Sequence, residues 1–266
     1  MKVVRLGAVG YLNARPLVYG LERSPRFALR TDVPSRCAAL LHEGTIDVGM
    51  IPSIEYLRAP AGAGGYRIVA DLAIASRGPV ASVAIYTTRP MRDVRSIALD
   101  TSSRTSVALV TVLCAKLFGI TPSLAARGPD LRAMLAGADA ALIIGDNALF
   151  LDEAAAGVEK VDLGEAWARL TGLPFVYAVW AGRAGALDPE DVRALQAARD
   201  AGLAHPDDIA AEYCPGDRPR QAVAARYLRD NIKYYLGDEE RAGLEQFYRY
   251  AAELGLVASA GPIEFF

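Results

Sequence analysis

Short apolar segments alternate with segments of helical periodicity along most of the chain, and this alternation is its main structural signal. Apolar runs typical of buried strands occur at residues 3–9, 47–51, 67–75, 82–86, 96–99, 140–144 and 175–180. Helical patterns are predicted for residues 34–44, 101–117, 129–135 and 146–151, and the chain is helical from Pro189 onward. The alternation predicts an α/β fold with largely parallel sheets.

Two parts of the chain, residues 40–53 and 134–146, share one pattern: a helix end, a glycine, an aspartate, a buried strand and a polar helix start. Two such units suit two lobes that face a cleft, because ligands of open α/β sheets bind beyond the carboxyl ends of the strands. No linker separates two consecutive domains, and the Gly-rich residues 61–65 are predicted to form a surface loop. We therefore expect discontinuous lobes, one from residues 1–86 and 175–266 and the other from 87–174.

Composition narrows the classes of function. The chain has 266 residues, of which 52% are hydrophobic, and its net charge of -2 leaves no broad basic surface for nucleic acid. We therefore expect no nucleic-acid partner. No apolar run is long enough to span a bilayer, so we expect no membrane partner either. Three cysteines without a C-x-x-C pair and two histidines argue against a metal site. The N-terminal run, interrupted by Gly7 and Gly10, is poor for a secretory signal, which favours a cytoplasmic protein.

The densest polar cluster, residues 100–106, lies between a predicted strand and an apolar helix. Five of the six residues from Thr101 to Ser106 carry a hydroxyl, which is more than one helix N-cap needs. Together with the free N–H groups and the positive end of the helix dipole, these hydroxyls predict a site for a carboxylate or a phosphate. The alternative is an over-capped helix with Arg104 in solvent.

Two further loops contain candidate ligand-binding residues. Asn13 follows the first predicted strand, and its amide can donate and accept hydrogen bonds at once. The alternative is a turn residue that tolerates a left-handed conformation. Gly78 would let a ligand approach the backbone, and Ser82 would present a hydroxyl at the start of the next strand. The alternative there is that Gly78 and Pro79 only form a turn.

The two histidines lie in poor settings for catalysis. His42 is near the end of a predicted helix, and His205 precedes Pro206 in a break between helices. A Ser-His-Asp arrangement would depend on one of them, and the chain has neither a nucleophile elbow nor a nucleotide-binding glycine motif. Histidine catalysis and a nucleotide cofactor are therefore not expected.

Five short segments, taken in order, carry a resemblance to a known family. They are residues 7–17 with a Tyr-Leu-Asn loop, 76–83 with Gly-Pro-Val-Ala-Ser, 100–107 with Ser-Ser-Arg-Thr-Ser, 142–146 and 171–180. Together they resemble the chorismate dehydratases of the futalosine route to menaquinone. The related dihydroxynaphthoate synthases have a different N-terminal loop, closer to Ser-Pro-Cys-Pro-Asn-Asp, which this chain lacks.

The resemblance implies a two-lobed periplasmic-binding-protein type II-like fold with an interlobe cleft. It implies conversion of chorismate into 3-(1-carboxyvinyloxy)benzoate and water without a metal or an organic cofactor, and a substrate whose own enolpyruvyl carboxylate can take the proton. Chorismate is then the expected small-molecule partner. The alternative is a non-catalytic binding protein for a small carboxylate with the same fold. The sequence indicates no oligomeric state.

The resemblance also implies site residues. Asn13 matches the asparagine of the family's Tyr-Leu-Asn loop and is expected to be catalytic, and Ser82 matches a serine that lines the site. Ser53 and Asp146 begin the predicted helices of the two paired units. The full set predicted to bind substrate is Tyr11, Ser53, Gly78, Ser82, Ser102, Ser103, Thr105, Ser106 and Asp146.

Overall fold

The computed structural model describes residues 3–59 and 65–266, so most of the loop predicted at 61–65 lies outside the described residues. The strands are β1 Val4–Val9, β2 Phe27–Asp32, β3 Val48–Pro52, β4 Tyr66–Ser76, β5 Val83–Thr87, β6 Ser96–Asp100, β7 Ser123–Arg127, β8 Ala140–Ile144, β9 Glu159–Asp162 and β10 Phe175–Arg183. The α-helices are α1 Pro34–Glu43, α2 Arg104–Leu113, α3 Leu131–Leu135, α4 Asp146–Leu149, α5 Glu153–Ala156, α6 Leu163–Thr171, α7 Pro189–Ala204, α8 Pro206–Tyr213, α9 Arg218–Arg226 and α10 Asp238–Glu253.

The described strands form two five-stranded sheets with the orders β2-β1-β3-β10-β4 and β7-β6-β8-β5-β9. The predicted α/β class and two-lobed architecture are confirmed, and β3 and β8, the strands of the two paired units, are the central strands. The prediction of largely parallel sheets is wrong. β10 runs antiparallel to β3 and β4, and β5 runs antiparallel to β8 and β9. A continuous apolar run indicates that both faces of a strand are buried, but it does not indicate whether the strand runs parallel or antiparallel to its neighbours.

Three strands were not predicted, and all three lie at the edge of a sheet: β2, β7 and β9. Every residue of β7 is exposed, and β2 and β9 are mostly exposed or half-buried. An edge strand with solvent on its faces needs no apolar run, so the hydrophobic pattern does not mark it.

The chain crosses from the first sheet to the second between Ser76 and Val83, because β5 already belongs to the second sheet. A boundary at residue 86 would therefore cut this strand. In other respects the lobe bounds 1–86 with 175–266 and 87–174 stay a prediction. Helices α7 and α10 pack on the first sheet through β4 and β10. In the described part of the chain, no helix combines the length and apolarity needed to cross a membrane.

Candidate active site

A cavity of about 40 Å³ lies between the two sheets. The first sheet contributes apolar wall residues such as Val9 and Ile74, and the second contributes Ile144 and Gly145. The polar side chains that line it are Tyr11, Asn13, Ser82, Ser103, Ser106 and Tyr177. None of the described lining residues is charged at neutral pH. A mainly apolar cavity with a few convergent hydroxyl and amide groups is typical of a small-molecule site.

Five of the predicted site residues meet in this cavity: Tyr11, Asn13, Ser82, Ser103 and Ser106. They come from the 3-10 helix Leu12–Val18 and its N-cap after β1, from the crossing before β5, and from the start of α2. The other predicted residues do not line the cavity: Ser53, Gly78, Ser102, Thr105 and Asp146. Gly78 adopts φ +90° in the turn after β4, where its carbonyl accepts a hydrogen bond from Ser76 at 2.9 Å.

The start of α2 is built from side chains with different tasks. Ser103 is the N-cap, and its hydroxyl accepts hydrogen bonds from the backbone and side chain of Ser106. Thr105 turns into the protein, where its hydroxyl lies 3.3 Å from that of Ser53 and accepts a hydrogen bond from the N–H of Ile54. Ser53 and Thr105 therefore fix the helix in place, and only Ser103 and Ser106 present their hydroxyls to the cavity.

Arg104, at the first position of α2, pairs with Glu55 at 2.6 Å, while 41% of its side chain stays exposed to solvent. Glu55 is 1% exposed and also accepts hydrogen bonds from His42 at 2.9 Å and Arg58 at 2.8 Å. Burial alone would raise the pKa of Glu55, but these hydrogen bonds and the charge of Arg104 outweigh it and hold the pKa at about 2. A buried carboxylate thus ties the turn after β3 to the start of α2.

Asn13 and Ser82 share a partner behind the cavity wall. Tyr227, which is 2% exposed, has its hydroxyl 2.7 Å from that of Ser82. The side chain of Asn13 acts on the same phenol, whose pKa it lowers. The amide oxygen Oδ1 of Asn13 is buried and has no hydrogen-bond partner among the described residues. A buried acceptor without a partner at a cavity wall is free to accept a hydrogen bond from a ligand.

Asp146 connects the loop after β8 to the other lobe. Its Oδ1 accepts a hydrogen bond from the N–H of Leu12 at 3.2 Å, and its Oδ2 accepts one from Tyr213 at 2.5 Å. Burial raises the pKa of Asp146, although the hydrogen bonds from Tyr213 and Leu12 act in the opposite direction. Asp146 therefore joins the two lobes and does not line the cavity.

Tyr11 makes a second connection across the cleft. Its hydroxyl donates to Ser102 at 3.1 Å, and its ring covers Gly145, where a Cβ atom would lie 3.1 Å from three ring carbons. Ser102 is itself fixed by Asp100, which accepts hydrogen bonds from its backbone and its hydroxyl. Tyr11 and Asp146 thus join the two lobes by hydrogen bonds beside the cavity.

Three residues that hold the site together were not among the predicted ones: Glu55, Tyr213 and Tyr227. All three act through contacts with residues far along the chain, so no local motif marks them. His42 and His205 lie outside the cavity lining, and no three described side chains of metal-binding type form a cluster. The set of groups that faces the cavity therefore consists of hydroxyls, one amide and the start of α2.

Comparison with known proteins adds a family and a relative. A family model described as "Menaquinone biosynthesis" matches residues 4–253. The chain is 31% identical over 272 residues to the chorismate dehydratase of Thermus thermophilus, and the alignment covers 96% of this chain and 97% of that protein.

Solved structures share the fold at low sequence identity. Protein AF1704 from Archaeoglobus fulgidus matches with a TM-score of 0.74 at 18% identity, covering 96% of this chain and 98% of that one. The CA3427 product of Candida albicans, described as having the generic periplasmic binding protein fold, gives 0.65 at 11% identity, covering 97% and 92%. The aliphatic sulphonate binding protein SsuA of Escherichia coli gives 0.62 at 18% identity, covering 98% and 95%. The predicted periplasmic-binding-protein-like fold is confirmed.

Proposed function

We infer that this chain, which belongs to the menaquinone biosynthesis family, is a chorismate dehydratase that converts chorismate into 3-(1-carboxyvinyloxy)benzoate and water. The near full-length relative of that name supports the assignment. The observation that carries it in the structure is the convergence of Asn13 and Ser82, from two separate segments of the chain, on one cavity between the sheets. Because the substrate is a biosynthetic intermediate, we propose the cytoplasm as the place of action.

The polar groups of the cavity suit a substrate with two carboxylates. The hydroxyls of Ser82 and Ser103 can donate hydrogen bonds to carboxylate oxygens, while Ser106 donates to Ser103, and the start of α2 adds the positive end of a helix dipole. Hydrogen bonds to a charged acceptor are stronger than those between neutral groups. The site therefore binds the anion without a cationic side chain in its lining.

The proposed reaction is an elimination that makes the ring aromatic. A proton leaves the ring carbon that carries the enolpyruvyl ether, and the electron pair spreads through the ring into the ring carboxylate. Hydroxide then leaves the neighbouring carbon and combines with a proton to form water. Donors already aimed at the ring carboxylate stabilise the charge as it develops, which is the main way such sites lower a barrier.

The proton acceptor in this proposal is the substrate's enolpyruvyl carboxylate, which returns the proton to the departing hydroxide. No histidine or lysine is among the described residues that line the cavity, so its walls supply no stronger base. The unpaired Oδ1 of Asn13 accepts a hydrogen bond and cannot donate one. We therefore assign it to the substrate hydroxyl that leaves, and we assign the carboxylates to the serine hydroxyls.

Turnover of chorismate by the purified protein, followed by chromatography of the product, tests the proposal. We expect the product with the wild-type protein and a loss of kcat of about 100-fold or more in Asn13→Ala and in Ser82→Ala. Ser123→Ala, on the exposed edge strand β7, is the matched control and should keep full activity. Binding of chorismate without any product would instead favour the non-catalytic carboxylate-binding alternative.

A further inference from the structure

We propose that Tyr227 is a positioning residue that sets the direction of the hydrogen bonds of Ser82 and Asn13, so that Ser82 donates to the substrate and Asn13 accepts from it. This inference rests on the proposed dehydratase function. Tyr227 does not line the cavity, and it acts only through the two side chains in front of it.

Tyr227 interacts with the side-chain amide of Asn13 as well as with Ser82. The Asn13 side chain lowers the pKa of the phenol, as an N–H donor does, and its Oδ1 has no hydrogen-bond partner in the described part of the protein. The amide therefore faces the phenolic oxygen with its NH2 group. The amide oxygen therefore stays free to accept a hydrogen bond from a ligand.

The proton of the Tyr227 phenol determines the direction of its hydrogen bond with Ser82. Burial raises the pKa of Tyr227, so the hydroxyl keeps its proton at neutral pH. The Ser82 oxygen, at 2.7 Å, is the one acceptor recorded for this proton among the described residues. Since a buried hydroxyl without an acceptor costs free energy, the phenol donates to Ser82.

The hydrogen bond from Tyr227 in turn determines where the proton of the Ser82 hydroxyl points. Its oxygen is occupied as an acceptor by the phenol, so the serine proton is directed to another acceptor. Ser82 is 1% exposed and lines the cavity, and its hydroxyl has no other recorded partner in residues 3–59 and 65–266. The serine proton therefore faces the cavity, where an anionic group of the substrate can accept it.

Core packing alone does not explain the hydroxyl of Tyr227, as a comparison with Tyr234 shows. Tyr234 is also fully buried in the same C-terminal region, but its hydroxyl has no hydrogen-bond partner among the described residues. A phenylalanine would fill both places equally well. Only at Tyr227 does the hydroxyl contact the two side chains proposed to carry the reaction.

The test compares Tyr227→Phe with the matched control Tyr234→Phe. Each change removes one buried hydroxyl and keeps the ring. We expect kcat of Tyr227→Phe to fall about 10–100-fold, because the Ser82 proton is then free to rotate away from the substrate. Tyr234→Phe should keep kcat within about twofold, since it removes an unpaired group. Wild-type activity in Tyr227→Phe would overturn the proposal.

A second measurement separates positioning from a general defect in folding. In a Ser82→Ala background the hydroxyl that Tyr227 orients is absent, so adding Tyr227→Phe should reduce kcat only a few-fold further. An added loss as large as the one in the wild-type background would overturn the proposal, even if Tyr227→Phe also lowers the melting temperature. Failure of the wild-type protein to dehydrate chorismate would instead refute the proposed function, and the two failures are thus distinguishable.

Discussion

The buried carboxylate of Glu55 should dominate the response of the fold to acid. Glu55 is enclosed by His42, Arg58 and Arg104, and replacing it by glutamine keeps its shape while removing the charge that these groups surround. The change breaks the tie between the turn after β3 and the start of α2. Because the hydroxyls of Ser103 and Ser106 depend on that helix start, the fold and the site share this anchor.

The magnitude follows from the pKa of Glu55, which lies at about 2 in the folded protein against an ordinary value of 4.5. A difference of this size corresponds to about 3 kcal/mol of unfolding free energy. The folded pKa is lower than the unfolded one, so this stabilisation is complete above about pH 5. It is lost progressively as the pH falls from the unfolded pKa toward the folded one.

Urea unfolding followed by circular dichroism between pH 3 and pH 7 measures this effect. Glu55→Gln should reduce the unfolding free energy by about 3 kcal/mol at pH 7, and the difference from wild type should shrink as the pH approaches 3. Glu253→Gln, which removes an exposed partner of Lys116, should cost at most about 1 kcal/mol. A difference that stays constant over the whole pH range would refute the reasoning.

Two further predictions concern activity. His42→Ala and His205→Ala should keep kcat within about threefold in the chorismate assay, because neither ring lines the cavity, and a loss above tenfold in either would reveal a protein base. Tyr213→Phe removes the hydroxyl that donates to Asp146, which should shift the lobes about tenfold or more toward an open form. Distance measurements between labels on the two lobes detect this shift, and an unchanged distribution would contradict it. Tyr56→Phe, which loses hydrogen bonds within one lobe, is its control.

The interior of the fold was predictable because a strand that is buried on both faces requires a continuous run of apolar residues. β3, β8 and β10 are buried along almost their whole length, and each appears in the sequence as an apolar run. The exposed edge strands have no such requirement, and strand direction depends on how the chain crosses between the sheets. Neither property is encoded in a local window of sequence.

The site was predictable only where neighbours in sequence share a task. The hydroxyl-rich start of α2 and the Tyr-Leu-Asn loop are local motifs, and both supply residues to the cavity. Thr105 belongs to the same run as Ser103 and Ser106 but points into the protein, because successive helix positions face different directions. Tyr227 is separated from Ser82 by more than half of the chain, and only the folded structure brings their hydroxyls together.

The proposed reaction requires the two lobes to be closed on each other, because both lobes contribute polar groups to the cavity. Asn13 comes from the first lobe, whereas Ser103 and Ser106 come from the second, so neither lobe alone holds the full set of polar groups. Asp146 and Tyr11 join the same two lobes by hydrogen bonds. A carbanion formed in the closed cavity is shielded from solvent protons, and its charge meets donors that need no rearrangement. A binding-protein fold can thus support an elimination, because closure on the ligand also assembles the groups that stabilise the transition state.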